Sequence, residues 1–265
     1  MSTDILRQIQ MEELNIMIVI DEFCKKNNIK YSLFAGTALG AVRHHGFIPW
    51  DDDIDICMTR SELNRFRKCW KKEPILGYYF ENCLDSLYCG TAHAKIRKDN
   101  TIFLSEGEDE SKGHHGIWID IFPLDKVKCR KISYMHALIL NMMTRANINM
   151  TNDSFSKKII RKILQLVPYP VRKKIIEYEW VRFSKQEEKI TEGYIWQSLT
   201  AICDLKVLLP ESLTKEYMNI EFEGHCFQIF NEYNTMLKCM YGDYMKLPPV
   251  EQRTYTHKPI KMKLK

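Results

Sequence analysis

The feature that most constrains this chain is the span 31–57, YSLFAGTALGAVRHHGFIPWDDDIDIC. Residues 31–35 read as a strand running into Gly36 and Thr37, where a helix can begin. After the turn at 46–50 comes a dense acidic group, Asp51, Asp52, Asp53 and Asp55. Successive side chains of a strand point to opposite faces, so Asp53 and Asp55 share one face while Ile54 and Ile56 share the other. Two carboxylates side by side on a half-buried strand repel each other unless a cation sits between them. Many charge runs are only solvated turns. This one is bounded by Phe47, Ile48 and Trp50 on one side and by Ile54, Ile56 and Met58 on the other, and Asp is depleted in strands without a reason. The pattern predicts a site for a hard divalent cation, above all Mg²⁺ with substrate phosphates. An EF-hand is excluded, because its loop needs a central Gly and a terminal Glu that are absent here.

The rest of the chain is read around that span. Residues 4–28 predict a helix, with Ile5, Ile9, Ile16, Ile20, Phe23 and Cys24 on its apolar stripe. Gly36 and Thr37 open a second helix, stopped by Gly46, whose first N–H groups would attract a phosphate; Thr37 also reads as a plain N-cap. Arg43, near that helix's C-terminus, is either a substrate clamp or a charge that suits the dipole. Thr59 and Glu62 form a capping box for a helix presenting Leu63, Phe66 and Trp70. Residues 91–97 alternate, placing His93, Lys95 and Arg97 on one face, as a diphosphate site or as a solvated sheet face. Residues 105–116 form a polar loop in which His114 and His115 read as solvated more readily than as metal ligands. A strand over 116–123 then puts Ile117, Ile119 and Ile121 on one face and Asp120, between Trp118 and Phe122, on the other. A lone Asp among apolar residues is costly to bury without a partner, and a metal held by Asp53 and Asp55 would supply one.

Past residue 130 the pattern turns helical. Residues 157–174 hold seven Lys or Arg and no acid, interleaved with Ile159, Ile160, Ile163, Leu164, Leu166 and Val167. Such a stretch is either a basic amphipathic helix able to touch anionic lipid or the cationic face of a helical subdomain. Residues 241–249 read as an ordered loop ahead of Arg253 and His257, and the last residues, KPIKMKLK, as a frayed tail. At 265 residues, 45% hydrophobic and 28% charged, the chain has the length and composition of one large globular unit. A net charge of +5 argues only weakly for an acidic partner. The basic residues cluster in one helical segment without interleaved stacking aromatics, which excludes nucleic acid as the expected partner. Nine scattered cysteines without a CxxC pair suit neither a zinc site nor a disulfide framework. With no apolar h-region at the start and no apolar run near the ~20 residues that span a bilayer, the expected home is a reducing cytoplasm.

A Gly-Thr at a strand-to-helix turn, then Asp53 and Asp55 alternating with Ile54 and Ile56, then a lone Asp120, resembles the DNA polymerase β-like nucleotidyltransferase superfamily. Closer still, AGTALGAVRHHGFIPWDDDIDICM, KIRKDNTIF, IDIFPLD and YGDYMKLPP resemble the LicD family of phosphotransferases, with fukutin-related proteins as more distant relatives. The likeness spans nearly the whole chain. It implies an α+β fold: a nucleotidyltransferase-like mixed β-sheet core packed with helices over 1–128, and a mainly helical C-terminal portion over 129–265, in one unit. It also implies transfer of a phosphorylated small alcohol, phosphocholine being the best-known case, from a CDP-activated donor to a hydroxyl of a cell-surface glycan or lipid-linked precursor, with release of CMP. Asp53, Asp55 and Asp120 would hold two divalent ions, Mg²⁺ or Mn²⁺, with Asp120 also the candidate base. Gly36, Thr37, Arg43, Trp50, Lys95 and Arg97 would bind substrate, and Trp50, Trp118 and Tyr31 are candidates for an aromatic wall around a quaternary ammonium. The expected location is cytoplasmic, with peripheral contact at the inner face of the plasma membrane through 157–174. Many relatives carry two glycines before the Thr, where this chain has Ala35 and Gly36, and the Ala would narrow a phosphate's approach. The rival readings are a nucleotidyltransferase acting on a nucleoside triphosphate and a non-catalytic binding protein of the same fold.

Overall fold

The computed structural model describes residues 3–105, 108–146, 148, 154–200, 207–255, 257 and 259–264. The chain begins with helix α1 (Thr3–Lys26). It buries Leu6, Ile9, Ile16, Met17, Ile20, Phe23 and Cys24, as the apolar spacing predicts. A short strand β1 (Ser32–Leu33) leads to helix α2 (Ala35–His44), strand β2 (Asp55–Thr59) and helix α3 (Arg60–Lys72). The Thr59 hydroxyl accepts the Glu62 N–H, which is the first half of the expected capping box. Strands β3 (Tyr78–Glu81), β4 (Ala94–Lys98), β5 (Ile102–Ser105) and β6 (Trp118–Val127) follow.

The main sheet runs β1-β2-β6-β4-β3, with β7 (Ile195–Ser198) added beside β6. The sheet is mixed: β2 lies parallel to β6, while β4 and β7 are antiparallel to it. Strand β6 is the spine, continuing past the expected residue 123 to Val127 and buried along most of its length. Pro123 stands between Ile121, the last partner of β4, and Leu124, the first partner of β7. A proline in a central strand is tolerated here because its missing N–H falls in the gap between those two neighbours.

Helices α4 (Arg130–Arg145), α5 (Phe155–Gln165), α6 (Tyr169–Lys189) and α7 (Tyr233–Tyr241) fill much of the C-terminal half. The basic stretch 157–174 is thus divided between two helices, with Pro168 capping the second. Strands missed in the sequence also lie there. A hairpin of β8 (Tyr217–Phe222) and β9 (His225–Phe230) turns through Glu223 and Gly224, both at positive φ, as a tight two-residue turn requires. The Glu223 carboxylate accepts the Phe47 N–H at 3.0 Å and pairs with Arg7 at 2.6 Å, clasping α1 to the loop before the acidic group. That carboxylate occupies the space a side chain at Gly46 would need, 2.3 Å from an ideal Cβ. The expected frayed tail is instead strand β10 (Pro259–Lys263), paired antiparallel with β5. This pairing makes a separate two-stranded sheet, as does the β8–β9 hairpin.

Candidate active site

The register of the sheet sets Asp55 of β2 beside Asp120 of β6, and Asp120 beside Lys95 of β4. Cross-strand partners project from the same face, so the three side chains form one row. Lys95 Nζ donates to Asp120 Oδ1 at 2.6 Å, and His93 Nε2 lies 3.1 Å from the same oxygen. Trp118 Nε1 donates to Asp120 Oδ2 at 3.0 Å. The partner that Asp120 needs therefore comes from the protein itself, beyond any metal. Burial alone would raise the Asp120 pKa, but the adjacent Lys95 and His93 outweigh it and hold the carboxyl well below the usual range.

Residues 51–54, which carry Asp51, Asp52 and Asp53, form a loop leading into β2 rather than part of the strand, so Asp53 and Asp55 do not share a strand face as the alternation predicted. Asp52 is buried, and its Oδ2 accepts the backbone N–H of His257 at 2.7 Å. His257 Nδ1 lies 3.5 Å from Asp52 and 3.9 Å from Asp53. One ligand atom from each of Asp52, Asp53 and His257 falls within 4.8 Å of the others. Desolvation, Asp53 and Asp52 push Asp51 up to about 8. Desolvation raises Asp53 to about 6, with His257 pulling down and Asp120 pushing up. Asp55 is driven well above its ordinary range by desolvation and by Asp53, Asp120 and Asp51. Burial lowers His257, but the hydrogen bond to Asp52 and the charge of Asp53 raise it on balance. The surplus of carboxylate over cation, with hard oxygen donors and Asp53 partly open to solvent, fits a divalent ion.

Helix α1 adds two buried groups that the sequence reading missed. Gln10 Nε2 donates to the Asp51 carbonyl at 2.9 Å. Glu13 is 3% exposed, one of its carboxyl oxygens has no partner, and burial followed by Asp53, Asp52, Asp51 and Asp120 drives its pKa well up. A signal for Glu13 was available, since an acid one helical turn from Ile9 sits inside the apolar stripe of α1. His257 carried no local signal; the pairing of β10 with β5 places it.

The remaining expected residues divide into those beside the cluster and those away from it. Gly36 lies against Asp51, whose Oδ2 would stand 2.5 Å from a Cβ there. Thr37 is the third residue of α2 and not its N-cap; Phe34 holds that place and provides no side-chain cap. The Thr37 hydroxyl instead accepts the Asp55 N–H at 2.8 Å. Ala35 has φ +44°, a left-handed conformation that explains a preference for glycine there better than room for phosphate does. Arg43 donates to the Tyr244 carbonyl at 2.8 Å, securing the 241–249 loop. Trp50 has His44 at its edge and the Arg253 guanidinium 5.3 Å from its ring centroid. Arg97 is buried, pairs with Glu81 and donates to the Gly116 carbonyl. It lines, with Lys95, Tyr79, Tyr88 and His115, a cleft of about 140 Å³. Tyr31 is in the core, donating to Asp21 at 2.6 Å, and does not join Trp50 and Trp118 in one wall. His114 bonds to Asp99 and stacks on Tyr79, apart from the acidic group.

Residues 28–155 match the family model described as LicD/FKTN/FKRP, nucleotidyltransferase domain. The chain is 34% identical over 267 aligned residues to the lipopolysaccharide cholinephosphotransferase LicD of Haemophilus influenzae, covering 95% of this chain and 96% of that relative. An uncharacterized protein of Rickettsia typhi is 34% identical over 110 residues, 40% of this chain and 36% of its own. A likeness of that level along nearly the full length of both proteins leaves one family: the chain belongs to the LicD phosphotransferases.

Proposed function

We propose that this protein transfers phosphocholine from a CDP-activated donor to a hydroxyl of a cell-surface glycan or its lipid-linked precursor, releasing CMP. The observation that supports the reading best is the row of Lys95, Asp120 and Asp55 beside Asp52, Asp53 and His257. In this reading the core is nucleotidyltransferase-like, and Asp53, Asp55 and Asp120 hold Mg²⁺ or Mn²⁺, with Asp52 and His257 within reach. A bound divalent ion would neutralise the diphosphate and the departing CMP.

The chain's own groups do the rest. The uncapped N-terminus of α2 at Gly36 and Thr37 offers N–H groups to a donor phosphate. Lys95 supplies a positive charge at the edge of the carboxylate row, while Arg97, tied to Glu81, lines the neighbouring cleft. Trp50 and Arg253 form a stacked wall near Asp51, with Arg43 anchoring the adjacent loop. Asp120 serves as ligand and anchor more readily than as base: both its oxygens are engaged and its basicity is low.

The family description keeps the nucleotidyltransferase alternative in view, and product identity separates the two: CMP from a CDP-alcohol, pyrophosphate from a nucleoside triphosphate. The test incubates purified protein with CDP-choline, CDP-ethanolamine, CDP-glycerol or CDP-ribitol and an acceptor glycan, with Mg²⁺, Mn²⁺ or EDTA. The expected outcome is metal-dependent CMP release from CDP-choline, lost in Asp53→Ala. Pyrophosphate release from a triphosphate, or no binding of any CDP-alcohol by calorimetry, would overturn it.

A further inference from the structure

We propose that helices α4, α5 and α6 form a docking face for an anionic lipid bilayer. Helix α5 has no buried residue at all. At 100° per residue, Phe155, Ile159, Ile160, Ile163 and the following Leu166 fall on one arc, and Lys157, Lys158, Arg161 and Lys162 on the other. The apolar arc is open to solvent: Phe155 and Leu166 are each 81% exposed and Ile163 58%. Single exposed apolar side chains need no explanation, but a whole helical stripe of them does.

The same character continues on the neighbouring helices. Ile132 and Met135 on α4 and Tyr178 and Val181 on α6 are exposed. Between α4 and α6 lies a groove of about 510 Å³ lined by Ile132, Tyr178, Lys128, Arg182, Lys185 and Lys189, with no carboxylate among its walls. Four cations, Lys128, Arg182, Lys185 and Lys189, thus line one groove that lipid phosphates could neutralise.

Charge chooses the occupant. A second copy of the chain would bring seven more cations and no acid from residues 157–174 against this face, whereas an anionic headgroup layer neutralises them. Helix α5, at 11 residues, is too short to span a bilayer, and among the described residues no helix is long and apolar enough to do so. It suits a helix lying in the interface, apolar stripe down and lysines extended to the phosphates. The face starts just past the end of β6, about 20 Å along that strand from Asp120, so changes to it leave the acidic cluster intact. The proposal does not depend on the transfer chemistry.

The test is co-sedimentation of the full chain with phosphatidylglycerol–phosphatidylcholine vesicles and with phosphatidylcholine alone. It is repeated for Phe155→Ser/Ile159→Ser/Ile163→Ser and for Lys157→Glu/Lys158→Glu/Lys162→Glu, with thermal melts confirming that both variants fold. Each lysine near an anionic surface is worth about fivefold in partition. The charge-reversed variant should therefore lose about a hundredfold on the anionic vesicles, the serine variant should lose at least tenfold, and phosphatidylcholine alone should bind the wild type at least tenfold more weakly. Failure of the wild type to sediment with anionic vesicles, or undiminished binding by the charge-reversed variant, would overturn the proposal. So would a wild-type dimer in light scattering that the serine variant dissolves, since a second copy would then be the occupant.

Discussion

Asp120 and Asp125 lie on the same strand, both buried, five residues apart and therefore on opposite faces of the sheet. Asp125 meets one guanidinium in a two-pronged pair, Arg60 Nε to Oδ1 at 2.8 Å and Nη2 to Oδ2 at 2.7 Å. Arg60 is itself fully buried, 4.3 Å from the Trp180 ring centroid and 5.5 Å from that of Phe183. One charge answers one charge, and the pair joins α3, β6 and α6. Asp120 belongs to a group that also contains Glu13, Asp51, Asp52, Asp53 and Asp55, facing Lys95, His93 and His257. Buried charge in balance holds a fold together, whereas buried charge in surplus is a place prepared for something positive.

The comparison predicts opposite signs for the same kind of substitution. Asp55→Asn should cut CMP release by ~10³-fold or more, because a preorganised charged group is lost from the site. In EDTA it should nevertheless raise the thermal midpoint, since one of several repelling carboxylates has gone. Asp125→Ala should do the reverse. Leaving Arg60 buried and unpaired costs about 3–5 kcal/mol, a fall of about 10 °C or more in the midpoint, with activity per folded molecule kept. Calorimetry of both variants with and without Mg²⁺ decides the matter; if Asp55→Asn in EDTA melts as low as Asp125→Ala, the two regions do not differ as argued.

A milder test needs no mutation. Asp51 and Asp53 have folded-state pKa values raised to about 8 and about 6, so between about pH 4 and pH 8 the folded protein binds more protons than the unfolded chain. Stability is then fully present below the unfolded carboxylate pKa and is lost as pH rises through those values. His257, raised as well, acts in the same direction near its own titration. Asp120, held low, contributes oppositely, but only at acid pH below that window. In EDTA the midpoint should fall from pH 5 to pH 8, and Mg²⁺ should flatten the decline. A midpoint that climbs with pH in EDTA would contradict the charge surplus.

What the sequence made legible follows the same division. The alternation at 55–58 and at 117–122 sufficed to turn Asp55 and Asp120 away from the neighbouring isoleucines, because period-two patterning is local information; that the two strands are neighbours is long-range pairing, expected only from the family resemblance. The helices α1 to α3 were legible for the same reason. Glu13 stood in the stripe of α1 but was passed over, since a charge is expected on the solvated side of such a helix until its neighbours are known. His257 was invisible: only the pairing of β10 with β5, across more than 150 residues, brings it to Asp52. The partner of Asp125 was equally hidden, for Arg60 is the first residue of α3 and nothing in its local pattern marks a charge as fully buried. Long-range pairing is what one-dimensional periodicity cannot carry.

The smallest expected effect lies at the cluster's edge. Among the described residues, the non-glycine positions at positive φ include Ala35 and His45, which bracket α2, the helix that carries Gly36 and Thr37 to Asp51 and Asp55. Neither Arg60 nor Asp125 is among them. His45 is the ordinary left-handed cap that ends α2, and Asn28, Asn100 and Glu223 serve turns elsewhere, so Ala35 is the strained position beside the acidic group. A left-handed alanine costs about 1–2 kcal/mol, part of which glycine gives back through the greater freedom of its unfolded chain. Ala35→Gly should therefore stabilise the protein by about 0.5–1 kcal/mol, a rise of about 1–4 °C in the thermal midpoint. The donor KM should stay unchanged, because the strain is in the backbone and not in the approach of a phosphate. If instead the KM for the CDP donor falls while the midpoint stays put, the alanine methyl is crowding substrate after all, and strain at this position has nothing to do with the surplus of charge beside it.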